Sequence, residues 1–319
     1  MAATDLQVVL GASGGTGSAV VEELVARGLP VRAVNRKGDA QAPGGVERVA
    51  ADVATTEGAR LAVEGAAVVY HCAQPEYTRW AEEFPAMNRS VLEATGATGA
   101  KLVFADNLYM YDSGHGPISE STPETATTVK GRLRGRMADE LLSAHRAGTL
   151  RVAIGRSSDY YGPNGTDTTL GDRLFEAILA GKKAQWMGSL DQPHTCSYLP
   201  DMARALVTLG EHEQADGRAW VLPAAEPITG RAFIQLAARA AGTTPKEATI
   251  STGMMRVLGL FVPFLRSYAE MMGQWTAPFT VDASAFQTAF GPLQVTPHDE
   301  ALAATVAWFA GREGAAQAS

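Results

Sequence analysis

Only two cysteines, Cys72 and Cys196, occur in 319 residues. Two thiols cannot scaffold a chain of this length, so a disulfide framework is excluded and a reducing cytoplasm is the expected setting. A cationic excess is missing as well, since 27 Lys and Arg stand against 34 Asp and Glu, a formal net charge of −7. Non-specific nucleic-acid binding draws on a dense cationic surface, and that class drops out. Long apolar runs are absent: the stretch 257–265, between Arg256 and Arg266, falls far short of the about 20 residues that a bilayer requires. The first ten residues hold no basic cluster ahead of their apolar run, so no secretory leader is expected. No His, Cys and Asp cluster has metal-ligand spacing, and no Gly-x-Ser-x-Gly elbow occurs. Neither a resident metal nor serine-hydrolase chemistry is expected.

What the chain has is core material: 46% hydrophobic and 19% charged residues predict a globular protein built on one large domain with a smaller lobe. Short β-branched runs at 6–10, 31–34, 67–72, 101–105 and 151–155 alternate with helical patterns. Val129, Leu133, Met137 and Leu141 mark the apolar stripe of one such helix. Strands separated by helices must run parallel through right-handed crossovers, which predicts an α/β fold with a doubly wound Rossmann sheet. Beyond residue 155 the pattern loosens into turns at 162–169, a helix at 170–180, an extended piece at 194–199, a helix at 201–210 and a strand at 219–222. A helix at 229–241, an apolar stretch at 254–272, a closing helix at 297–310 and a frayed end at 314–319 complete the reading. We expect residues 1–165 to form the dinucleotide-binding domain, with 194–225 returning to it. Residues 166–193 and 226–319 are then a substrate lobe.

The strongest motif follows the first strand: Gly11-Ala-Ser13-Gly14-Gly15-Thr16-Gly17, with a helical segment behind it. Glycines let the backbone turn tightly and bring its N–H groups to a pyrophosphate, while the helix N-terminus adds a favourable dipole. The Gly-x-x-Gly-x-x-Gly spacing resembles the short-chain dehydrogenase/reductase superfamily, in particular its extended or atypical, epimerase/dehydratase-like branch. Asp52-Val53 resembles the segment that contacts adenine, and Val-Val-Tyr-His-Cys72-Ala73 the fourth-strand signature. Arg156-Ser-Ser-Asp-Tyr160-Tyr161-Gly-Pro resembles the loop bordering the nicotinamide. The resemblance implies cofactor contacts at these residues, and a homodimer. At the end of the second strand an acidic residue would accept the ribose hydroxyl of NAD, but the chain has Asn35-Arg36-Lys37. Two cations suit a 2′-phosphate, so NADP(H) is expected over NAD(H).

One part of that pattern is missing. The superfamily's catalytic Tyr-x-x-x-Lys pair is absent, for no tyrosine lies between Tyr111 and Tyr160. Arg132, Arg136 and Glu140 occupy the stretch at helical spacing, readable as a surface salt-bridge ladder or as an anion site. The position of the substrate-orienting Ser or Thr falls on Asn107. Extended geometry would aim Asn107 and Tyr109 to one side, making Tyr109 the candidate proton donor and Asn107 the orienting group. Tyr109 could equally be a packed wall aromatic. Lys130 is a further candidate, to lower a tyrosine pKa or hold a ribose, although a lysine at a helix start is commonly solvated. Tyr160, with Asp159 beside it, is the next choice for the acid, while His71 and His194 read as structural. The expected function is an NADP(H)-dependent oxidoreductase acting on a small, largely apolar carbonyl, enone or imine. The alternatives are a non-catalytic NAD(P)-binding regulator and a redox-neutral epimerase, isomerase or dehydratase with retained NAD(P).

Overall fold

A computed structural model of the chain describes residues 5–114, 116–250, 253, 255 and 268–317. Seven parallel strands form its central sheet: β1 (Gln7–Leu10), β2 (Val31–Asn35), β3 (Glu47–Ala50), β4 (Val68–His71), β5 (Lys101–Asn107), β6 (Arg151–Ser157) and β7 (Arg218–Val221). Their spatial order is β7-β6-β5-β4-β1-β2-β3. The chain thus runs outward one way from β1 and the other way from β4, so the crevice between the carboxyl ends of those two strands is the switch point where such sheets bind ligands. Central strands covered on both faces must be apolar throughout. Val8, Val9, Leu10, Leu102 and Phe104 are accordingly buried completely.

One face is covered by α2 (Thr56–Val63), α3 (Trp80–Thr98) and α4 (Val129–Arg146), whose apolar residues merge with Leu102, Phe104 and Ile154. The other is covered by α1 (Gly15–Ala26), α6 (Leu199–Glu211) and the helix Ser284–Phe290. A separate apolar cluster joins α5 (Asp172–Leu179), the strand Ala184–Met187, α7 (Gly230–Ala240) and the closing helix His298–Gln317 through Phe175, Trp186, Phe233 and Phe309.

The doubly wound sheet is as the sequence predicts, and several element boundaries differ. Strands β5 and β6 each run two residues longer than expected, because Asp106 and Asn107 pair with Arg156 and Ser157. Helix α6 starts at Leu199, where Pro200 fits the first turn because its missing N–H is not needed there. The closing helix continues to Gln317 rather than fraying from 314, its last turn Gly314-Ala-Ala-Gln317 carrying two alanines after the glycine. Most of the apolar stretch 254–272 lies outside the described residues; Met255, Met271 and Met272 are buried core. No described helix is long and apolar enough to cross a membrane.

Candidate active site

The glycine-rich turn occupies the switch point. Gly11 has φ +78°, and a Cβ on it would lie 2.7 Å from the backbone of Ala73. A Cβ on Gly17 would strike the Gly11 carbonyl. Both positions therefore demand glycine, on conformational and on steric grounds. Helix α1 starts after Gly14, whose N-cap position supplies no side-chain hydrogen bond. The first-turn N–H groups are left for an anion, and Ser13 and Gly14 are exposed there, with Gly15 and Thr16 half-buried beside them. These residues fit the pyrophosphate of a dinucleotide. Asn164, a non-glycine residue with φ +59°, closes over the turn by donating its amide to the Ser13 carbonyl and to Ser18 Oγ at 2.9 Å.

Around the crevice the predicted contacts divide. Arg36 and Lys37 are exposed at the end of β2. Asn35 donates to Ser13 Oγ and to Asp39 Oδ1 at 2.8 Å, which places a carboxylate at the same corner. Asp52 is exposed and accepts from the Ala54 N–H at 3.1 Å. Val53 and Tyr161 need correction as side-chain contacts. Val53 is packed into the core under α2. Tyr161 is fully buried against Phe233, and its hydroxyl bonds His298 Nδ1 at 3.1 Å. Cys72 and Ala73 lie half-buried beside Gly11, where burial pushes the Cys72 thiol up to about 12 and keeps it un-ionised.

A second group of residues gathers beyond the carboxyl ends of β4, β5 and β6. Asn107 and Tyr109 do not share an extended face, because the strand ends at Asn107, whose Oδ1 accepts the Tyr109 N–H at 3.1 Å and turns the chain. The turn lays the Tyr109 ring 6.0 Å from that of Trp80 and its hydroxyl against that of Tyr77. Tyr77 packs in turn on Tyr268, ring centroids 4.6 Å apart. Thr128 caps α4 by accepting the Gly131 N–H at 3.0 Å, which sets Lys130 one residue into the helix. Lys130 is not solvated: its Nζ lies 4.4 Å over the Tyr77 ring and donates to Glu270 Oε1 at 2.8 Å. The other Glu270 oxygen accepts the Val129 N–H at 2.9 Å. Tyr160 faces Gln74 and Asp159, and Asp159 Oδ2 bonds His194 Nε2 at 2.9 Å.

Burial dominates the electrostatics of this cluster. It holds the phenols of Tyr77 and Tyr109 well above their ordinary value, raises Tyr160, and pushes Tyr268 up to about 12. The charge of Asp159 adds to the effect at all four. With Asp159, Glu270 and four phenols, the described walls are polar, unlike the largely apolar substrate that the sequence suggests. Trp275 lies behind them, stacked on His194 at 4.3 Å.

Helix α4 carries further corrections. Its buried face is Lys130, Leu133, Arg134, Met137, Ala138 and Leu141, while Val129, placed in the stripe by sequence, is 52% exposed. Arg134 Nε donates to Asp106 Oδ1 at 2.7 Å, and Arg156 Nε donates to Asp106 Oδ2 at 3.2 Å, forming a buried Arg-Asp-Arg network that sequence reasoning missed. The i, i+4, i+7 spacing of 130, 134 and 137, which puts Arg134 on the same helix face as Met137, was its available signal. Arg132, Arg136 and Glu140 make no ladder; Arg132 caps the Thr127 carbonyl and Glu140 accepts from Asn88. Tyr77, Tyr268 and Glu270 were missed for want of any local motif. His71 sits at the end of β4, wholly buried between Phe84 and Phe104, and burial lowers its pKa to about 3. It is a neutral core residue.

Comparison with known proteins agrees with this geometry. In fold, the chain is similar to the crystal structure of gox2253 (TM-score 0.79, 19% identity, 97% of this chain and 99% of that one). It is similar also to the Thermus thermophilus UDP-glucose 4-epimerase complex with NAD (0.76, 20%, 96% and 99%). A third is the Bacillus cereus UDP-glucuronic acid 4-epimerase in complex with NAD (0.77, 16%, 96% and 99%). No curated protein matches the sequence. The family model for the NAD dependent epimerase/dehydratase family matches residues 7–222, which takes in the glycine-rich turn, all seven strands and the Asp159 loop, and the chain belongs to that family.

Proposed function

We propose that the chain is an NADP(H)-dependent reductase whose small substrate, bearing a carbonyl, enone or imine, sits among Tyr109, Tyr160 and Asp159. The single observation that carries this reading is the Tyr109 phenol, buried and held well above its ordinary pKa at the ends of the central strands. A phenol in that condition is a proton donor rather than a base. In the family pattern a lysine lowers the tyrosine; here the Lys130 charge is directed to Glu270. When bound, the nicotinamide supplies the hydride. Tyr109 delivers a proton to the substrate oxygen, with Tyr77 behind it, and the Asn107 amide is available to orient the carbonyl. The first-turn N–H groups of α1, with Ser13 and Thr16, hold the pyrophosphate, and Arg36 and Lys37 hold the 2′-phosphate. In this reading residues 1–165 and 194–225 hold the cofactor, and 166–193 and 226–319 supply the substrate side.

A second reading, redox-neutral epimerase or dehydratase chemistry with a retained cofactor, is favoured by the family itself and by the NAD named in the titles of similar structures. Asp39, tied to Asn35 at the β2 corner, would in that case accept a free ribose hydroxyl.

Fluorescence titration with NADPH and NADH, followed by a carbonyl, enone and imine panel read at the reduced-nicotinamide absorbance, separates them. The reductase reading expects tighter NADPH binding. Replacing Arg36 by Ala weakens it by roughly 10-fold or more, the value of about 1.5 kcal/mol or more for a charge-assisted contact. Tyr109→Phe lowers carbonyl turnover by about 10²–10⁴-fold with dinucleotide affinity unchanged. Oxidised cofactor that co-purifies and does not exchange moves the conclusion to the second reading. Tight binding without turnover moves it to a regulator, and no binding of either nucleotide sinks all three.

A further inference from the structure

The Asp159 carboxylate is placed as a binding group rather than a structural one. Its side chain is 9% exposed, and only Oδ2 is engaged, by His194. Among the described residues no hydrogen bond reaches Oδ1. His194 in turn cannot swing, because it is stacked between Trp275 at 4.3 Å and Phe279 at 5.4 Å, with Trp186 edge-on at 6.5 Å. The carboxylate is therefore held in orientation by His194, and its charge acts on the phenols of Tyr77, Tyr109, Tyr160 and Tyr268. Pairing of Asn107 with Ser157 sets the register beyond the strand ends, so that Asp159 follows β6 as Tyr109 follows β5.

We propose that Asp159, ringed by Tyr77, Tyr109, Tyr160 and Tyr268, is the subsite for a cationic nitrogen of the substrate, an amine or an iminium. Aromatic faces attract cations through their quadrupoles, and the Lys130 ammonium already uses the Tyr77 ring in this way. A buried carboxylate facing a cleft costs free energy until an opposite charge meets it. Among the described residues no cation pairs with Oδ1: Lys130 is directed to Glu270, Arg134 to Asp106, and the opposite charges of Arg173 and Asp167 both reach Tyr268.

The inference rests on the nicotinamide reading and accounts for its oddest feature. A cationic C=N bond accepts hydride at carbon and returns its π pair to nitrogen, giving a neutral amine, so that the Tyr109 proton is needed only when the reducible group is a carbonyl or a neutral imine. Loss of the Tyr-x-x-x-Lys pair is then no handicap.

The test uses the full chain, calorimetric titration and two matched probes, choline and its uncharged isostere 3,3-dimethyl-1-butanol. Choline is expected to bind at least about 10-fold more tightly than the isostere. Asp159→Asn should abolish that preference, and Tyr77→Leu, which keeps the carboxylate, should weaken it. Wild-type NADPH or NADH affinity in the variants certifies their fold. Equal binding of the two probes, binding of neither, or a preference untouched by Asp159→Asn overturns the subsite while the dinucleotide titration stands. Selective choline binding in a chain that binds neither nucleotide instead retains the subsite and sinks the reductase reading.

Discussion

Asp106 contributes more to this molecule than its place at the end of a strand suggests. Its side chain is wholly buried and answers two guanidiniums, Arg134 at 2.7 Å and Arg156 at 3.2 Å, with Glu124 Oε1 2.8 Å from Arg156 on the far side. Arg134 also lies 4.9 Å over both the Phe84 and the Phe104 rings, so neither cation can turn to solvent. Asp106→Asn keeps the shape and removes the charge, leaving the buried Arg134 without a carboxylate partner and Arg156 with Glu124 alone. The expected cost is about 3–5 kcal/mol, the usual penalty for breaking a buried pair from one side. Urea unfolding would show it as a lower midpoint at unchanged slope; an unchanged midpoint would mean that the arginines find other partners.

At the scale of elements, α4 shows how a helix can serve packing and site together. Gly131 lies against the Tyr109 carbonyl, and a Cβ there would come within 2.7 Å of Ala126 Cβ and Thr128 Oγ1. On an exposed helix Gly→Ala stabilises by about 1 kcal/mol. Gly131→Ala is expected instead to destabilise by about 1–3 kcal/mol through overpacking, and to displace Tyr109. A thermal melt gives the sign, and a gain in stability would refute the contact. The sequence announced α4 as amphipathic and placed Leu133, Met137 and Leu141 correctly on its buried face, but put Val129 there in place of Lys130, because Val129 is apolar and Lys130 is not. Side-chain polarity misled where burial was bought by ion pairs: Lys130 with Glu270 and Arg134 with Asp106.

The whole molecule explains which features were legible. Parallel strands and crossover helices leave local periodicity, and the glycine-rich turn needs its residues contiguous, so the fold and the cofactor cradle could be read directly. The Tyr77, Tyr109, Asp159 and Tyr268 grouping has no local signature, since only the sheet order brings those distant positions together. The same sheet buries His71 at the end of β4, with consequences for the stability of the entire fold. Its folded pKa of about 3 lies below the 6.5 of an unfolded histidine, so between those values the unfolded chain binds a proton that the folded chain excludes. This group costs nothing above pH 6.5. Stability falls by about 1.4 kcal/mol per pH unit as acid is added below that point, and levels off below pH 3. Between pH 7 and pH 5 its contribution is a loss of about 2 kcal/mol. His71→Leu removes the titrating group while keeping an apolar side chain against Phe84 and Phe104, so its unfolding free energy should be less pH-dependent by that amount. Equal pH dependence in the two proteins would show that the His71 ring reaches a proton in the folded state, and that the sheet is open at the end of β4.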